Sequence, residues 1–503
     1  MKIAKKLLKA TRIFSAFILF SIFASQCFSQ SNSSSSDIDS AKQRQFLKVI
    51  DQLYYFIQQN YVEEVDPQIL YEGALKGMLG ALDDPYSVYM AQSEWRSLTD
   101  TTVGNFGGVG LSITKPLVST EEKPAYVEVA EPIENTPGAK AGIQSGDLIV
   151  AVDGVDTSTI TMDEVLSMLR GTVGESVTVK IRRRNTLEFE RTLVRAVIQN
   201  PSVKYGMIEG TKIGYARLIQ FTPDTATRLQ DALDSFEKNG YKGLIIDLRD
   251  NPGGLITSAV DVADKFIDNG PIVSTKSRLL FENTQFTANK EKTTAKQGMP
   301  IVVLINRGAA SASEIVSGAL KDYHLAYLVG ERTYGKGSVQ QVIPLSNTDG
   351  IKITMARYYT PSDMNIDKIG IPPDLEIKNL KEFTEDEEKI YVDLIKSEII
   401  NKAAESKPNM TEADIALEAA AIAKKYPLNE RLIRRLIRIQ VQKTQPSVLY
   451  DLDYDLQLNE ALKVIQSKDY STMLKNTKTL RELQEEVDEA KTVDGNGLTA
   501  SLK

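Results

Sequence analysis

The apolar segments between residues 203 and 380 leave few folds open to the chain. KGLIIDLRDNPGGL (242–255) and MPIVVLIN (299–306) have the composition of buried strands, and each leads into a turn that contains glycine. Helical segments follow these turns, and strands that alternate with helices are joined by right-handed crossovers into a largely parallel sheet. We therefore predict an α/β domain whose functional loops lie at the carboxyl ends of its strands.

The rest of the chain divides into segments of different character. Residues 38–100 keep apolar residues at helical spacing, whereas residues 104–198 combine short strands with one or two helices. The predicted fold class is a multidomain α/β protein. Its predicted domains are a signal peptide at 1–29, a tether and helical segment at 30–103, a compact module at 104–198, the α/β core at 199–380 and a helical extension at 381–503.

The N-terminus has the layout of a secretory signal. A basic stretch precedes an apolar run from Ile13 to Ala24, which is short for a membrane span. Cleavage after Ser29 would remove five basic residues and no acidic one, and would change the formal net charge from −7 to −12. Lipidation at Cys27 and retention as an uncleaved anchor, with membrane association through the N-terminus, are the alternatives. We expect an exported protein.

Composition excludes several classes of site. Cys27 is the only cysteine, so the mature chain has no disulfide, thiolate nucleophile or cysteine-based metal site. An exported chain without disulfides indicates a bacterial periplasm or cell envelope. The single histidine, His324, excludes a histidine-rich metal site, and we expect no metal or other cofactor. The acidic net charge argues against a nucleic-acid partner.

A candidate nucleophile lies in RGAASASEI (307–315), directly after the second apolar run. The simplest interpretation is structural, because Ser311 and Glu314 match the capping box that begins many helices. The start of a helix beyond a strand is also a place where developing negative charge is stabilised. Ser311 is therefore a catalytic candidate only if the chain supplies a base.

A lysine is the remaining choice for that base. His324 lies thirteen residues after Ser311, past the predicted helix, and the two should be roughly 20 Å apart. A lysine accepts a proton only when its surroundings lower its pKa, since the charged amine cannot do so. Lys336, between two glycines in GERTYGKGSVQQ (330–341), is the candidate. A solvated loop is the alternative interpretation of this segment.

The motifs together resemble a known family. DLRDNPGGL, ASASEI, GERTYGKGSVQ, ARYYTPS and GIPPD occur in the order, and at the spacings, of the carboxyl-terminal processing peptidases, the Ser/Lys tail-specific proteases of family S41. GGVGLSI and AGIQSGDLIVAVDG resemble the PDZ module of that family, and YVEEVDPQILYEGALKGMLGALDDPYSVYM resembles the helical segment ahead of it. The resemblance covers about residues 45–380. It implies a crotonase/ClpP-like core behind a PDZ domain.

The resemblance implies roles for individual residues. The nucleophile of the family falls on Ser311, its base on Lys336, and a glutamine that orients the lysine in part of the family on Gln340. Backbone N–H groups of Gly254 and Ala312 would bind the oxyanion, and glycine at 254 suits close approach of a substrate carbonyl.

Four nearby positions are expected to do no chemistry. Ala309 replaces the first serine of the family motif. Ser313 is the alternative nucleophile, and we expect it to pack or cap instead. Asp322 and Glu331 resemble recurrent family positions, for which helix ending and ion pairing are structural explanations.

The PDZ-like segment predicts a site for a peptide C-terminus. Gly108, Val109, Gly110 and Leu111 present consecutive backbone N–H groups that can hold a terminal carboxylate. The strand that follows can pair with an extended peptide, and the helix at 162–170 supplies an apolar wall. A glycine-containing hairpin turn is the alternative.

These features predict an exported serine endopeptidase that cuts proteins near their C-termini, with free C-termini as the recognised feature. A catalytically silent PDZ protein that binds peptides or assembles complexes is the main rival, and a crotonase-like thioester enzyme is a weaker one. Some eighty residues separate Pro373 from the tail-like DLQLNEALKVI (455–465). We interpret them as a helical insert for dimerisation, docking or regulation, so a homodimer or higher oligomer is expected. Its arginine-rich helix, NERLIRRLIRIQ, faces solvent, an acidic partner or anionic lipid.

Overall fold

The structure is a computed structural model of the 503-residue chain. It describes residues 37–92, 94–95, 105–116, 124–133, 135–183, 187–199, 201–280, 283–378, 383–407, 409–442 and 448–499. The predicted signal peptide and the serine-rich tether lie outside the described residues.

The chain divides into two units, Met1–Ala81 and Leu82–Lys503. In the first unit the predicted helices are confirmed as α1 (Asp37–Asn60) and α2 (Pro67–Gly80). The side chain of Asp66 caps α2 by accepting the N–H of Gln68 at 2.8 Å. Proline at the first helical position costs no hydrogen bond there, so the local sequence fixes where α2 begins.

A six-stranded sheet forms the centre of the second unit. Its order is β10-β11-β12-β15-β16-β19, with bounds Val203–Met207, Ile213–Leu218, Gly243–Asp247, Ile301–Ile305, Tyr327–Gly330 and Leu375–Glu376. Every neighbouring pair is parallel except β10–β11. All residues of β12 and β15 are buried, as expected for strands covered on both faces. The predicted parallel sheet is confirmed.

Helices cover both faces of this sheet. One core cluster joins strand side chains to α5 (Thr225–Lys238), α6 (Ile256–Ala263) and α7 (Ala312–Asp322). The other cluster contains buried residues of α12 (Leu456–Ile465) and Tyr470, which begins α13 (Tyr470–Lys475). The tail-like segment after the insert is therefore part of the α/β core.

A second sheet corrects one prediction from the sequence. It contains β1 (Val88–Met90), β13 (Pro271–Lys276), β14 (Thr284–Thr287), β17 (Ser338–Pro344) and β18 (Gly350–Tyr359). Residues 38–100 were expected to be helices with a turn at DDPYSVYM (83–90), but Val88–Met90 form a strand that pairs antiparallel with β18. Tyr89 is buried there, and its hydroxyl donates to Asp349 at 2.8 Å. A pairing this distant in sequence overrides the local helical pattern.

Residues 105–199 form the β module. Its main sheet runs β3-β4-β5-β7-β8, β6 pairs with β5, and β2 pairs with β9. In chain order the elements are β2 (Asn105–Gly108), β3 (Leu111–Thr114), β4 (Val127–Pro132), α3 (Pro137–Lys140), β5 (Leu148–Val152), β6 (Val155–Asp156), α4 (Met162–Leu169), β7 (Ser176–Arg183), β8 (Leu187–Val194) and β9 (Ala196–Gln199). The module has its own apolar core, so its predicted independence is physically reasonable.

The C-terminal region is helical, as predicted. Its helices are α8 (Glu385–Lys396), α9 (Ile399–Ser406), α10 (Glu412–Lys425), α11 (Glu430–Gln442), the two named above, and α14 (Leu480–Thr499). The insert helices share a separate apolar core. On the arginine-rich α11, Arg438 bonds Glu412 of the same chain at 2.9 Å and lies 3.3 Å from Asp453. Within the described residues, no helix has the length and apolar character needed to cross a bilayer.

Candidate active site

Ser311 lies at the junction between β15 and α7. Its φ of 54° and ψ of −112° are unusual for a residue with a side chain. The Glu314 carboxylate accepts the N–H of Ser311 at 2.8 Å, and the N–H of Glu314 donates to the Ser311 carbonyl at 2.8 Å. The capping contact expected from the sequence is therefore present. Helix capping alone does not require a strained backbone, and such strain is typical of functional sites.

Glu314 connects the serine to the loop that carries Lys336. Its side chain is buried, and Oε2 accepts the N–H of both Ser311 and Lys336, at 2.8 and 2.9 Å. Oε1 accepts the Thr333 hydroxyl at 2.6 Å and the Gly335 N–H at 2.7 Å. Burial raises the pKa of Glu314, and these four hydrogen bonds oppose that rise. One carboxylate thus brings the two candidate catalytic residues together.

The lysine loop has glycines because another backbone segment approaches it closely. A Cβ at Gly337 would lie 2.5 Å from the backbone nitrogen of Asp367, and Gly335 has a φ of 88°. Burial and the charge of Lys352 lower the pKa of Lys336, while Glu314 acts in the opposite direction. These surroundings differ from the solvated loop that was the alternative interpretation. A partly buried amine with a lowered pKa is a candidate general base.

The side chain of Lys336 points towards an aromatic ring. Its Nζ lies 5.0 Å from the ring centroid of Tyr86. Among the hydrogen bonds between described residues, none joins this Nζ to the Ser311 hydroxyl. The backbones are nevertheless adjacent, because the Tyr358 hydroxyl donates to the carbonyls of both Ser311 and Lys336.

Gln340, predicted to orient Lys336, lies on β17. Its Nε2 donates to the Ser338 hydroxyl at 2.8 Å and reaches the Thr354 hydroxyl at 3.4 Å. Within the described part of the chain, the hydrogen bonds found for the Gln340 side chain therefore go to residues of β17 and β18 and not to Lys336. Its predicted orienting role stays a prediction.

The Asn-Pro-Gly-Gly turn after β12 lies against the serine. A Cβ at Gly253 would be 2.8 Å from the Cβ of Ser311 and 3.0 Å from the nitrogen of Ala312. Gly254 has a φ of 145°, and a Cβ there would be 2.1 Å from the Phe221 carbonyl oxygen. Both positions thus exclude a side chain. The geometry leaves Gly254 and Ala312 as candidate oxyanion donors beside the nucleophile.

The remaining candidates have structural partners. The Ser313 hydroxyl is buried and donates to the carbonyl of Asn251 at 2.9 Å, as expected for a packing residue. His324 lies beyond the end of α7, where its Nδ1 is 2.7 Å from the Thr477 hydroxyl. Asp322 accepts the N–H groups of Ser362 and Leu480.

The β module presents an open strand edge beside a glycine loop. Strand β3 is the last strand of its described sheet and pairs only with β4 there. The carbonyls of Val109 and Gly110 accept the N–H groups of Gly138 and Ile133, which hold the loop to the module. Gly110 has a φ of 74°, and a Cβ there would lie 2.2 Å from Thr136. Gly108 and Leu111 flank this turn, at the end of β2 and the start of β3.

Three segments of the chain match described families. Residues 212–377 match peptidase family S41, residues 13–94 match the N-terminal domain of the activating protease CtpB, and residues 128–183 match the PDZ domain. A carboxy-terminal-processing protease of Bartonella bacilliformis is 41% identical over 327 residues, which cover 64% of this chain and 73% of that protein. The chain belongs to the carboxy-terminal processing proteases of family S41.

Other processing proteases are similar at lower identity. The carboxy-terminal processing protease CtpA of Bacillus subtilis is 33% identical over 359 residues, which cover 71% of this chain and 73% of that protein. The solved structure of a photosystem II D1 C-terminal processing protease is 30% identical, with a TM-score of 0.40, and covers 65% of this chain and 92% of that one. The family and the PDZ domain predicted from the motifs are thus confirmed.

In this processing protease, the residue that the sequence analysis undervalued is Glu314. It was treated there only as half of a capping box, whereas in the structure it also holds the lysine loop. One signal was available, because ASEIVSGAL places a carboxylate in a helix whose neighbouring residues are almost all small or apolar. A buried carboxylate needs several donors, and these indicate a second segment beside the helix.

We expect Glu314→Gln to reduce kcat about 10- to 100-fold, because an amide NH₂ would replace one of two oxygens that face N–H or O–H donors. Steady-state kinetics on a peptide substrate, with the melting temperature recorded in parallel, provide the measurement. Glu237→Gln, an exposed change on α5, is the matched control. Equal kcat values for the two variants would show that the shared carboxylate does not position the site.

Proposed function

We propose that the chain is a serine endopeptidase in which Ser311 is the nucleophile and Lys336 the general base. The observation that carries this proposal is the single buried Glu314 oxygen that accepts the backbone N–H of both residues. This shared oxygen supports the placement of the serine and the lysine on adjacent segments. The pKa of the lysine is lowered as well, and a nucleophile beside such a base is the minimum that amide hydrolysis by a Ser/Lys pair requires.

The chemistry proceeds in two stages. Neutral Lys336 takes the proton of Ser311 as Oγ bonds to the substrate carbonyl carbon, and the resulting ammonium gives that proton to the leaving amine as the C–N bond breaks. Water then attacks the carbonyl carbon of the acyl ester on Ser311 as neutral Lys336 accepts a proton from the water. The resulting ammonium gives that proton to Oγ as the ester C–O bond breaks. The carboxylic acid and the free serine are the products.

Backbone N–H groups stabilise the negative charge that develops on the carbonyl oxygen. Those of Gly254 and Ala312 are the proposed donors, because a Cβ on the adjacent Gly253 would meet both Ser311 and Ala312. Ala312 is also the first residue of α7, where the helix dipole favours an anion. Preorganised donors of this kind need no movement during the reaction.

The PDZ domain is proposed to select substrates by their C-termini. The loop Gly108–Leu111 would bind the terminal carboxylate, and the open edge of β3 would pair with the preceding residues. We further propose that the enzyme works after export, in a bacterial periplasm or envelope, which the basic and apolar N-terminal stretch supports.

Two forms of one protein substrate, with a free or an amidated C-terminus, test this function. We expect the free form to be cut first near its C-terminus. The amidated form should have a kcat/KM lower by about tenfold, since the amide lacks the charge that the loop binds. Intact-mass spectrometry over time provides the measurement, with Ser311→Ala enzyme as the blank. Products that form equally with Ser311→Ala enzyme would favour a peptide-binding protein without protease activity.

A further inference from the structure

The turn DDPYS (83–87) directly precedes β1 and lies beside Lys336. The Asp84 carboxylate folds this turn by accepting the Ser87 hydroxyl at 2.6 Å and the N–H of Tyr86 at 3.1 Å. The Ser87 hydroxyl in turn accepts the N–H of Thr354 on β18 at 3.0 Å. Because β1 pairs with the same strand directly after the turn, the C-terminal end of the turn is fixed on β18. Its side chains therefore have defined positions.

Tyr86 supplies the aromatic surface under the lysine. The ring is half-buried, and its centroid lies 5.0 Å from the Nζ of Lys336, within the range of a cation–π contact. Burial and the neighbouring Tyr334 raise the pKa of the Tyr86 phenol, so the ring is neutral at physiological pH. A neutral phenol in this position attracts the ammonium form of Lys336 and not the free amine.

The charged groups that act on Lys336 come from three elements. Lys352 on β18 repels the ammonium, whereas Glu314 on α7 and Asp84 on the turn attract it. The two oxygens of Glu314 already accept four hydrogen bonds. Among the salt bridges found between described residues, none includes Lys336. Asp84 and the ring of Tyr86 therefore add their attraction for the positive charge to that of Glu314.

We propose that Tyr86 and Asp84 are positioning residues that hold the side chain of Lys336 and stabilise the ammonium formed when it takes the proton of Ser311. This inference rests on the proposed Ser/Lys pair. Burial beside Lys352 favours the neutral amine that begins the reaction, and the turn favours the charged amine that completes the first proton transfer. The two influences keep both protonation states accessible, as a base that later acts as an acid requires.

The test is the pH dependence of kcat/KM for Tyr86→Leu and Asp84→Asn. Each change removes an attraction for the ammonium form of Lys336 and so lowers its pKa. The acid limb of the pH profile, where kcat/KM falls as Lys336 is protonated, should therefore move to lower pH by about half a pH unit or more. The kcat on the plateau should fall several-fold because the base is weaker, while KM stays the same. Tyr86→Phe keeps the ring and should keep the native limb. Tyr205→Leu, a change of the same kind on β10, is the matched control.

Damage to the fold alone would lower the plateau without moving the limb towards acid. A limb that stays in place, or moves to higher pH, in both variants would overturn this inference while leaving the Ser/Lys pair intact. If Tyr86→Leu does not fold, Asp84→Asn alone decides the question, since asparagine can still accept a hydrogen bond within the turn. Substantial activity in Lys336→Met would instead overturn the proposed base itself.

Discussion

Replacing Lys336 by methionine is expected to lower kcat/KM on the order of 10⁴-fold while the protein stays folded. Methionine keeps the length and apolar contacts of the side chain but cannot accept the proton of Ser311. Ser311→Ala should cause a loss of the same order, and the double variant should lose little more, because in the proposed mechanism nucleophile and base act as one unit. Initial rates on a fluorogenic peptide, with the far-UV circular dichroism of each variant, measure this outcome.

The same experiment has a pH arm and a control. Burial lowers the pKa of Lys336, so the native rate should rise with pH until the amine is neutral and stay level above that point. Lys238→Met, an exposed change on α5, should leave both the rate and its pH dependence as in the native enzyme. Retention of more than a few per cent of native activity by Lys336→Met would exclude this lysine as the base.

Arg249→Met is expected to reduce the free energy of unfolding by about 3–5 kcal/mol, the usual cost of leaving a buried charge without its partner. Arg249 lies between two carboxylates, with Nη2 2.6 Å from Asp247 and 2.6 Å from Asp455. Asp247 is completely buried and also accepts the Tyr215 hydroxyl at 2.7 Å. Removing the guanidinium leaves two carboxylates facing each other. Urea denaturation followed by fluorescence gives the free energy.

The pH dependence of this effect separates lost charge from lost packing. Burial raises the pKa of Asp247, but Arg249, with help from Arg217 and Tyr215, more than offsets this and the pKa lies below its ordinary value. A carboxyl whose pKa is depressed in the folded protein contributes stability at pH values above its pKa in the unfolded chain, about 4. That stability is lost as pH falls through its pKa in the folded protein. The difference between native and Arg249→Met enzyme should therefore stay constant above about pH 4 and shrink as pH falls below it.

A surface arginine gives the comparison for this prediction. Arg434 pairs with Glu430 at 3.0 Å on the exposed face of α11, where such pairs contribute about 0.5 kcal/mol or less. Arg434→Met should therefore have almost no effect at any pH. Equal free-energy losses for the two variants would mean that the salt bridge of Arg249 with Asp455 does not stabilise the fold. Asp455 lies directly after the helical insert. The salt bridge therefore also connects the end of the insert to the Asn-Pro-Gly-Gly turn beside Ser311.

Much of the site follows from local sequence. An apolar run that ends in glycine forms a buried strand wherever a core is available, and β12 and β15 do so with their turns at the carboxyl ends. Glycine has the backbone freedom that Gly254 needs at a φ of 145°. The order of motifs then predicted Ser311 and Lys336 as nucleophile and base, and in the structure the Glu314 carboxylate accepts the backbone N–H of both.

Other features depend on partners that are distant in the chain. Val88–Met90 pairs with β18, more than 250 residues away, and so becomes a strand within a segment of helical pattern. Asp455 contacts Arg249 across 206 residues, and Tyr86 reaches Lys336 across a similar interval. Turn and helix propensities act over a few residues only, so they carry no information about such pairs.

Local patterns thus fixed the strands, the glycine turns, the helices of the C-terminal region and the residue types able to do the chemistry. The folded chain determined which charges surround Lys336, which backbone atoms Glu314 joins, and where the DDPYS turn lies. The reason is physical. The pKa of an amine and the reach of a hydrogen bond depend on distances of a few ångströms, and for residues far apart in sequence these distances exist only after the chain has folded.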